Sequence, residues 1–142
     1  MKDKDLQNLL KELIKKVKTK ITLDCVILFG SRARSDFTPY SDIDLIFVGN
    51  FKEKFINRSS LILELLSNSF GVGLDVFCYT SDEFKDMFYQ GTVSILDAID
   101  HGVCLFGVKF YKEYKNLMED FKNKGLKRDP PVWIIPKDMS ID

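Results

Sequence analysis

Asp24-Cys25-Val26-Ile27-Leu28-Phe29-Gly30-Ser31 and, after ten intervening residues, Asp42-Ile43-Asp44-Leu45-Ile46-Phe47-Val48 are the stretches that decide how this chain folds. The first is apolar from Cys25 to Phe29 and stops at a glycine, the pattern of a buried strand running into a turn. The second opens on two aspartates, continues through Leu, Ile, Phe and Val, and closes at Gly49-Asn50, a second buried strand. Between them, residues 31–41 carry Ser, Arg, Asp, Thr and Pro39, and read as a turn of helix followed by a loop.

Working outward, Leu6, Leu9, Leu10, Leu13, Ile14 and Val17 recur at helical spacing and predict an amphipathic helix over 4–20. Residues 54–68 read as a helix with Phe55, Ile62, Leu65 and Leu66 on its apolar side. Gly71 and Gly73 end it before a third strand, Leu74 to Tyr79. A helix capped by Ser81 follows, with Asp82 and Glu83 in its first turn, then a second from Thr92 to about Asp100. Val103–Phe106 is a short strand. Phe110, Tyr114, Leu117 and Phe121 stripe a last helix, with Tyr111 and Met118 as a second line expected to meet a partner. Asp129-Pro130-Pro131 opens a segment expected to be irregular. This order of elements predicts an α+β chain: a small β-sheet flanked by helices, with a mostly helical C-terminal extension.

At 142 residues and 16.4 kDa the chain suits one core. Lys plus Arg and Asp plus Glu are both 21, which argues against a dedicated nucleic-acid binder. The charge is nevertheless segregated. Residues 1–20 carry seven Lys against three acids, 109–128 carry seven basic residues against three acids, and 21–108 carry six against twelve. The basic ends read as solvated helix faces, or as flanks that draw a polyanion toward an acidic centre. No run approaches the ~20 apolar residues of a membrane span, and Met1 to Asp5 is too charged for a signal peptide, so a cytoplasmic location is expected. Cys25, Cys78 and Cys104 sit singly in apolar runs, as buried thiols do. With one histidine, His101, read as a helix-terminal residue, and no C-x-x-C pair, structural zinc is excluded. Any metal must be held by carboxylate oxygens, which suits magnesium or manganese.

Chemistry concentrates around the two opening stretches. Gly30 and Ser31 fall where a strand meets a helical turn, a place that exposes backbone N–H groups to an anion. Arg32 and Arg34 add guanidinium groups that match phosphate oxygens, unless they merely neutralise Asp24 or Asp36. Asp42 and Asp44 are two apart on a strand, hence on one face with Cα atoms ~6.5 Å apart, and together can bracket two divalent ions. Asp75 interrupts an apolar strand, where an uncompensated carboxylate is costly. It becomes sensible as a third metal ligand that helps remove the proton of an attacking hydroxyl. The blander readings are solvated acids at a strand end for Asp42 and Asp44, and a turn cap for Asp75. Phe37 and Tyr40 either stack on a base or pin their loop to the core.

Gly30-Ser31, ten residues, Asp42-x-Asp44 and Asp75 on a following strand resemble the nucleotidyltransferases of the DNA polymerase β superfamily. The Gly-Ser-Arg-Ala-Arg run resembles their minimal (MNT) branch, with Ser35 where a Gly usually stands. The resemblance implies the nucleotidyltransferase fold, a small mixed sheet flanked by helices, over 1–107. A packed helix would occupy 108–128 and an irregular tail 129–142. It implies transfer of AMP from ATP to a hydroxyl, two Mg²⁺ ions (or Mn²⁺) on Asp42, Asp44 and Asp75, and phosphates on Gly30, Ser31, Arg32 and Arg34. It further implies an antitoxin role beside a HEPN-domain partner, whose tyrosine is the expected acceptor. Neutralisation by occlusion without catalysis, and transfer to a small molecule such as an aminoglycoside, stay open as alternatives. So does a homo- or hetero-oligomeric state.

Overall fold

The computed structural model describes residues 3–30, 43–65 and 73–139. Helix α1 (Asp3–Lys18) leads into strand β1 (Leu23–Phe29). Strand β2 (Ile43–Gly49), helix α2 (Phe55–Glu64) and strand β3 (Leu74–Tyr79) come next. Helices α3 (Ser81–Tyr89) and α4 (Val93–His101), strand β4 (Val103–Phe106) and helix α5 (Val108–Asn123) follow. Strands β5 (Lys127–Asp129) and β6 (Val132–Ile134) and a 3-10 turn (Lys137–Met139) are the last of the described elements.

Four strands form one mixed sheet in the order β3-β2-β1-β4. β1 runs antiparallel to both β2 and β4, while β2 and β3 are parallel. Strand alternation sends successive side chains to opposite faces, so each strand feeds two cores. On one face Val26, Ile43, Leu45, Phe47 and Cys78 pack against Leu6, Leu10, Leu13, Ile14 and Val17 of α1 and Ile62 of α2. On the other, Cys25, Ile27, Ile46, Val48 and Tyr79 pack against Phe84, Phe88, Ile95, Leu96, Ile99, Tyr114 and Phe121 of α3–α5. The near-continuous apolar reading of β2 has this cause: five of its seven residues are buried apolar side chains facing one helical layer or the other. A register shift between Leu23 and Cys25 moves Leu23 to the α1 side.

Three expectations are corrected. The cap of α3 is Thr80, not Ser81. Thr80 Oγ1 accepts from the Glu83 N–H at 3.2 Å while Glu83 Oε1 accepts from the Thr80 N–H at 2.7 Å, a reciprocal pair that Ser81 has no Glu/Gln three residues on to form. Tyr111 and Met118, expected to face a partner, are buried. The Tyr111 hydroxyl lies 2.9–3.2 Å from the Ala98, Ile99 and Gly102 carbonyls at the end of α4, and Met118 fills the core. The stretch from Asp129, expected to be irregular, takes part in a β5–β6 hairpin whose Trp133 is buried and donates to Asp97 Oδ1 at 2.8 Å. Cys25 and Cys78 are buried thiols as read from sequence, and Cys104 is half-buried. Among the described residues no helix is long and apolar enough to cross a membrane.

Candidate active site

The site forms where helices α3–α5 stop covering the sheet: the last residues of β1 and the first residues of β2 and β3. Asp44 is the hinge of the arrangement. Across the antiparallel pair its Cα partner is Phe29, and across the parallel pair its partner is Asp75. Residues in direct register project to the same face, so Asp44 and Asp75 stand side by side on neighbouring strands, ~4.8 Å apart along the ladder. That face is the one Ile46 and Tyr79 share with α3–α5. Asp44 is half-buried and Asp75 exposed.

Gly30 closes the site from β1. Its φ of 77° is left-handed backbone, and a Cβ built on it would land on Asp44 Oδ2. Two independent demands therefore require glycine here: the positive φ, and a carboxylate lying against the bare Cα. At the end of β1 the backbone of Gly30 and the carboxylate of Asp44 therefore lie directly against one another.

The exposure of Asp75 corrects the reason given for it above. Among the described residues β3 is an edge strand, and its Asp75 and Phe77 positions are exposed, so no burial cost forces a cation onto Asp75. What brings it to the site is its register with Asp44. Ser31, Arg32, Arg34 and Asp42, with Phe37 and Tyr40, lie outside the described residues. Among the described residues no group of three potential metal ligands converges; Asp44 and Asp75 contribute two carboxylates, and Asp42 follows Ser31 by the ten-residue spacing noted above. His101 ends α4, with Nδ1 3.5 Å from Asp100 Oδ2.

Sequence reading missed two groups here. Phe29 and Phe77 meet edge-to-face with centroids 5.9 Å apart, on the carboxylates' own face of the sheet. Arg58, buried on α2, donates to the Cys78 carbonyl of β3 at 3.3 Å and to Glu83 Oε1 at 2.6 Å. An arginine embedded in an otherwise apolar helix face, Ile62 being its i+4 neighbour, was the available signal for the second.

The Nucleotidyltransferase domain family matches residues 10–138. A Methanocaldococcus jannaschii protein named "Putative protein adenylyltransferase MJ1305" is 36% identical over 69 residues, covering 46% of this chain and 47% of that protein. The chain thus matches about half the length of this curated relative. Among solved structures, a Sulfolobus solfataricus "putative nucleotidyltransferase" is 26% identical with a TM-score of 0.48, covering 69% of this chain and 77% of that one. The Shewanella oneidensis complex of a tri-AMPylated HEPN toxin with an MNT antitoxin aligns at 20% identity and a TM-score of 0.45, covering 82% and 92%. The family match spans nine-tenths of the sequence and takes in both the Gly30 turn and the register-paired aspartates, and the chain belongs to the nucleotidyltransferase domain family.

Proposed function

We propose that the chain transfers AMP from ATP to a protein hydroxyl, a tyrosine of a HEPN-type toxin that it accompanies as antitoxin. The observation that carries the transferase reading is Asp44, flanked by Asp75 across one strand pair and by Phe29 and the bare Cα of Gly30 across the other. Family membership supports the reaction class, and the similarity to the Methanocaldococcus protein supports adenylyl as the group and protein as the acceptor. The tyrosine and the HEPN partner rest on the resemblance of the Gly30-Ser31…Asp42-x-Asp44 pattern to minimal nucleotidyltransferases.

Carboxylates in register on neighbouring strands are oxygen donors of the kind Mg²⁺ or Mn²⁺ prefers, and a divalent ion would offset the repulsion between two such acids. In this reading Asp42, Asp44 and Asp75 hold the divalent ions. When bound, such ions neutralise charge on the attacking and leaving oxygens. The residues supply the rest. Backbone N–H groups at Gly30-Ser31, with Arg32 and Arg34, receive the β- and γ-phosphates. The α-phosphate then faces Asp44, and Asp75 takes the proton of the acceptor hydroxyl as its oxygen attacks. The new O–P bond forms in line as the bond from Pα to the bridging oxygen breaks, and pyrophosphate leaves on the Gly30-Ser31 side.

The test incubates the chain with α-labelled ATP, Mg²⁺ and a purified HEPN-domain protein as candidate acceptor. Label should appear on the partner as one or more AMP groups, and Asp44→Asn should reduce the rate by at least ~10³-fold. Label at the wild-type rate with Asp44→Asn refutes the assignment. A tight complex that neutralises the partner without labelling it establishes occlusion in place of transfer.

A further inference from the structure

Phe77 stands two residues beyond Asp75 on the same strand and face, and the residue is 37% exposed. Beside it, Phe55 of α2 lies flat on Tyr79, with centroids 5.7 Å apart and planes at 17°, and Ile56 is 79% exposed. Phe55, Ile56, Ser59, Val76, Phe77 and Cys78 line a groove of about 490 Å³ along β3. No charged side chain is among them. A polyanion such as RNA would need Lys or Arg there, and a polycationic aminoglycoside would need carboxylates. Apolar and aromatic side chains of a polypeptide suit these walls.

The backbone points the same way. Ile43 N–H donates to the Gly73 carbonyl at 2.8 Å, so the parallel ladder turns the main-chain groups of 73, 75, 77 and 79 toward β2 and those of 74, 76 and 78 away. The Cys78 carbonyl, one of the outward set, accepts from Arg58 Nη1. The outward groups of Leu74 and Val76 face the side of β3 where, among the described residues, no strand lies. We propose that the acceptor polypeptide docks here as an extended segment along the outer edge of β3. Its apolar side chains enter the Phe55–Ile56–Phe77 groove, and its acceptor side chain is delivered to Asp75. The groove is continuous with the candidate site through β3 itself, since Asp75 and Phe77 differ by one pleat. The acceptor role rests on the transferase reading above; the docking surface does not.

A blocked pentapeptide of alternating threonine and valine around a central tyrosine serves as the probe. The full-length ¹⁵N-labelled chain is titrated in separate samples with this peptide, Mg·ATP, hexauridylate RNA and kanamycin. The peptide should shift the Ile56, Leu74 and Val76 amides and slow hydrogen exchange at Leu74 and Val76 by about tenfold. Ile56→Lys, at a solvent-facing position where folding is unaffected, should weaken the peptide by about fivefold or more. No shift at these amides with millimolar peptide overturns the proposal. So does undiminished affinity in Ile56→Lys, or RNA or kanamycin moving the same amides in the peptide's place. Mg·ATP reports separately at Gly30 and Asp44: silence there with a peptide response removes the transferase reading and leaves the docking surface standing.

Discussion

At the scale of single residues, Gly30 carries the sharpest demand in the molecule. Its positive φ alone costs an L-residue about 1–2 kcal/mol. The collision with Asp44 Oδ2 adds a displacement of the carboxylate that the reaction would depend on. Gly30→Ala is therefore expected to fold with a modest loss of stability while its transfer rate falls by about a hundredfold, the usual size of a ~1 Å misplacement at a reacting centre. Thermal unfolding and AMP transfer, measured on the same preparation, separate the two effects. A variant losing stability and activity in equal proportion would show that Gly30 serves only the turn. This demand was half legible in the sequence. A glycine at the end of a buried strand implies a turn, but the carboxylate packed on its bare face, Asp44, lies fourteen residues further on in another strand.

At the scale of elements, the Arg58 clamp holds the edge strand. Its guanidinium takes the Glu53 carbonyl at 2.9 Å, the Cys78 carbonyl and Glu83 Oε1, and so joins α2, β3 and the capping box of α3 in one network. Burial pushes the Glu83 carboxyl up, but its hydrogen bonds from Arg58 and the Thr80 N–H outweigh that and hold it below its ordinary value. Asp100 behaves alike: burial raises it, and Lys122 and His101 bring it below its ordinary value. A carboxyl depressed in the folded state binds its proton more readily when unfolded. Its stabilisation is thus complete above the ordinary carboxylate range and is lost as pH falls through and below it. Acid unfolding of the wild type should consequently steepen below that range, and Glu83→Gln should flatten the dependence. Arg58→Met should cost about 2 kcal/mol in urea unfolding. That is less than the ~3–5 kcal/mol of a fully buried broken pair, because the Glu83 side chain left behind is 41% exposed. If Arg58→Met unfolded at the wild-type midpoint, the clamp would be dispensable. The Thr80-x-x-Glu83 box and an arginine in an apolar helix face were local signals, but their pairing was not readable from the chain, since Arg58 and Glu83 are 25 residues apart.

At the scale of the whole molecule, what could be read from sequence and what could not divide along local pattern and long-range packing. Each strand of the main sheet announced itself by composition, and the aspartate spacing singled out Asp44, whose register with Asp75 only the fold provides. The last helix misled, because an amphipathic stripe shows how many apolar residues a helix has but not how many neighbours it meets. α5 packs against β1, β4 and α4 together, so Tyr111 and Met118 of its second line are buried along with Tyr114 and Phe121 of its first. The C-terminal stretch misled for a related reason. Lys127–Asp129 and Val132–Ile134 are only three residues each, too short for an alternation signal, and the hairpin is fixed by tertiary contacts. Trp133 fills the core beside α4 and donates to Asp97 Oδ1, which also receives Arg128 Nε at 3.4 Å. The family match runs to 138 and so counts this hairpin as part of the domain. Trp133 is the only tryptophan, and its fluorescence reports on the hairpin alone while circular dichroism reports on the whole fold. If the hairpin belongs to the cooperative core, the two signals unfold at one urea midpoint. Trp133→Ala should then lower that midpoint by the equivalent of ~3 kcal/mol, the cost of emptying a large aromatic site. A fluorescence transition that precedes the loss of helix would instead make residues 127–139 an appendage, and Trp133→Ala would leave the main transition where it was.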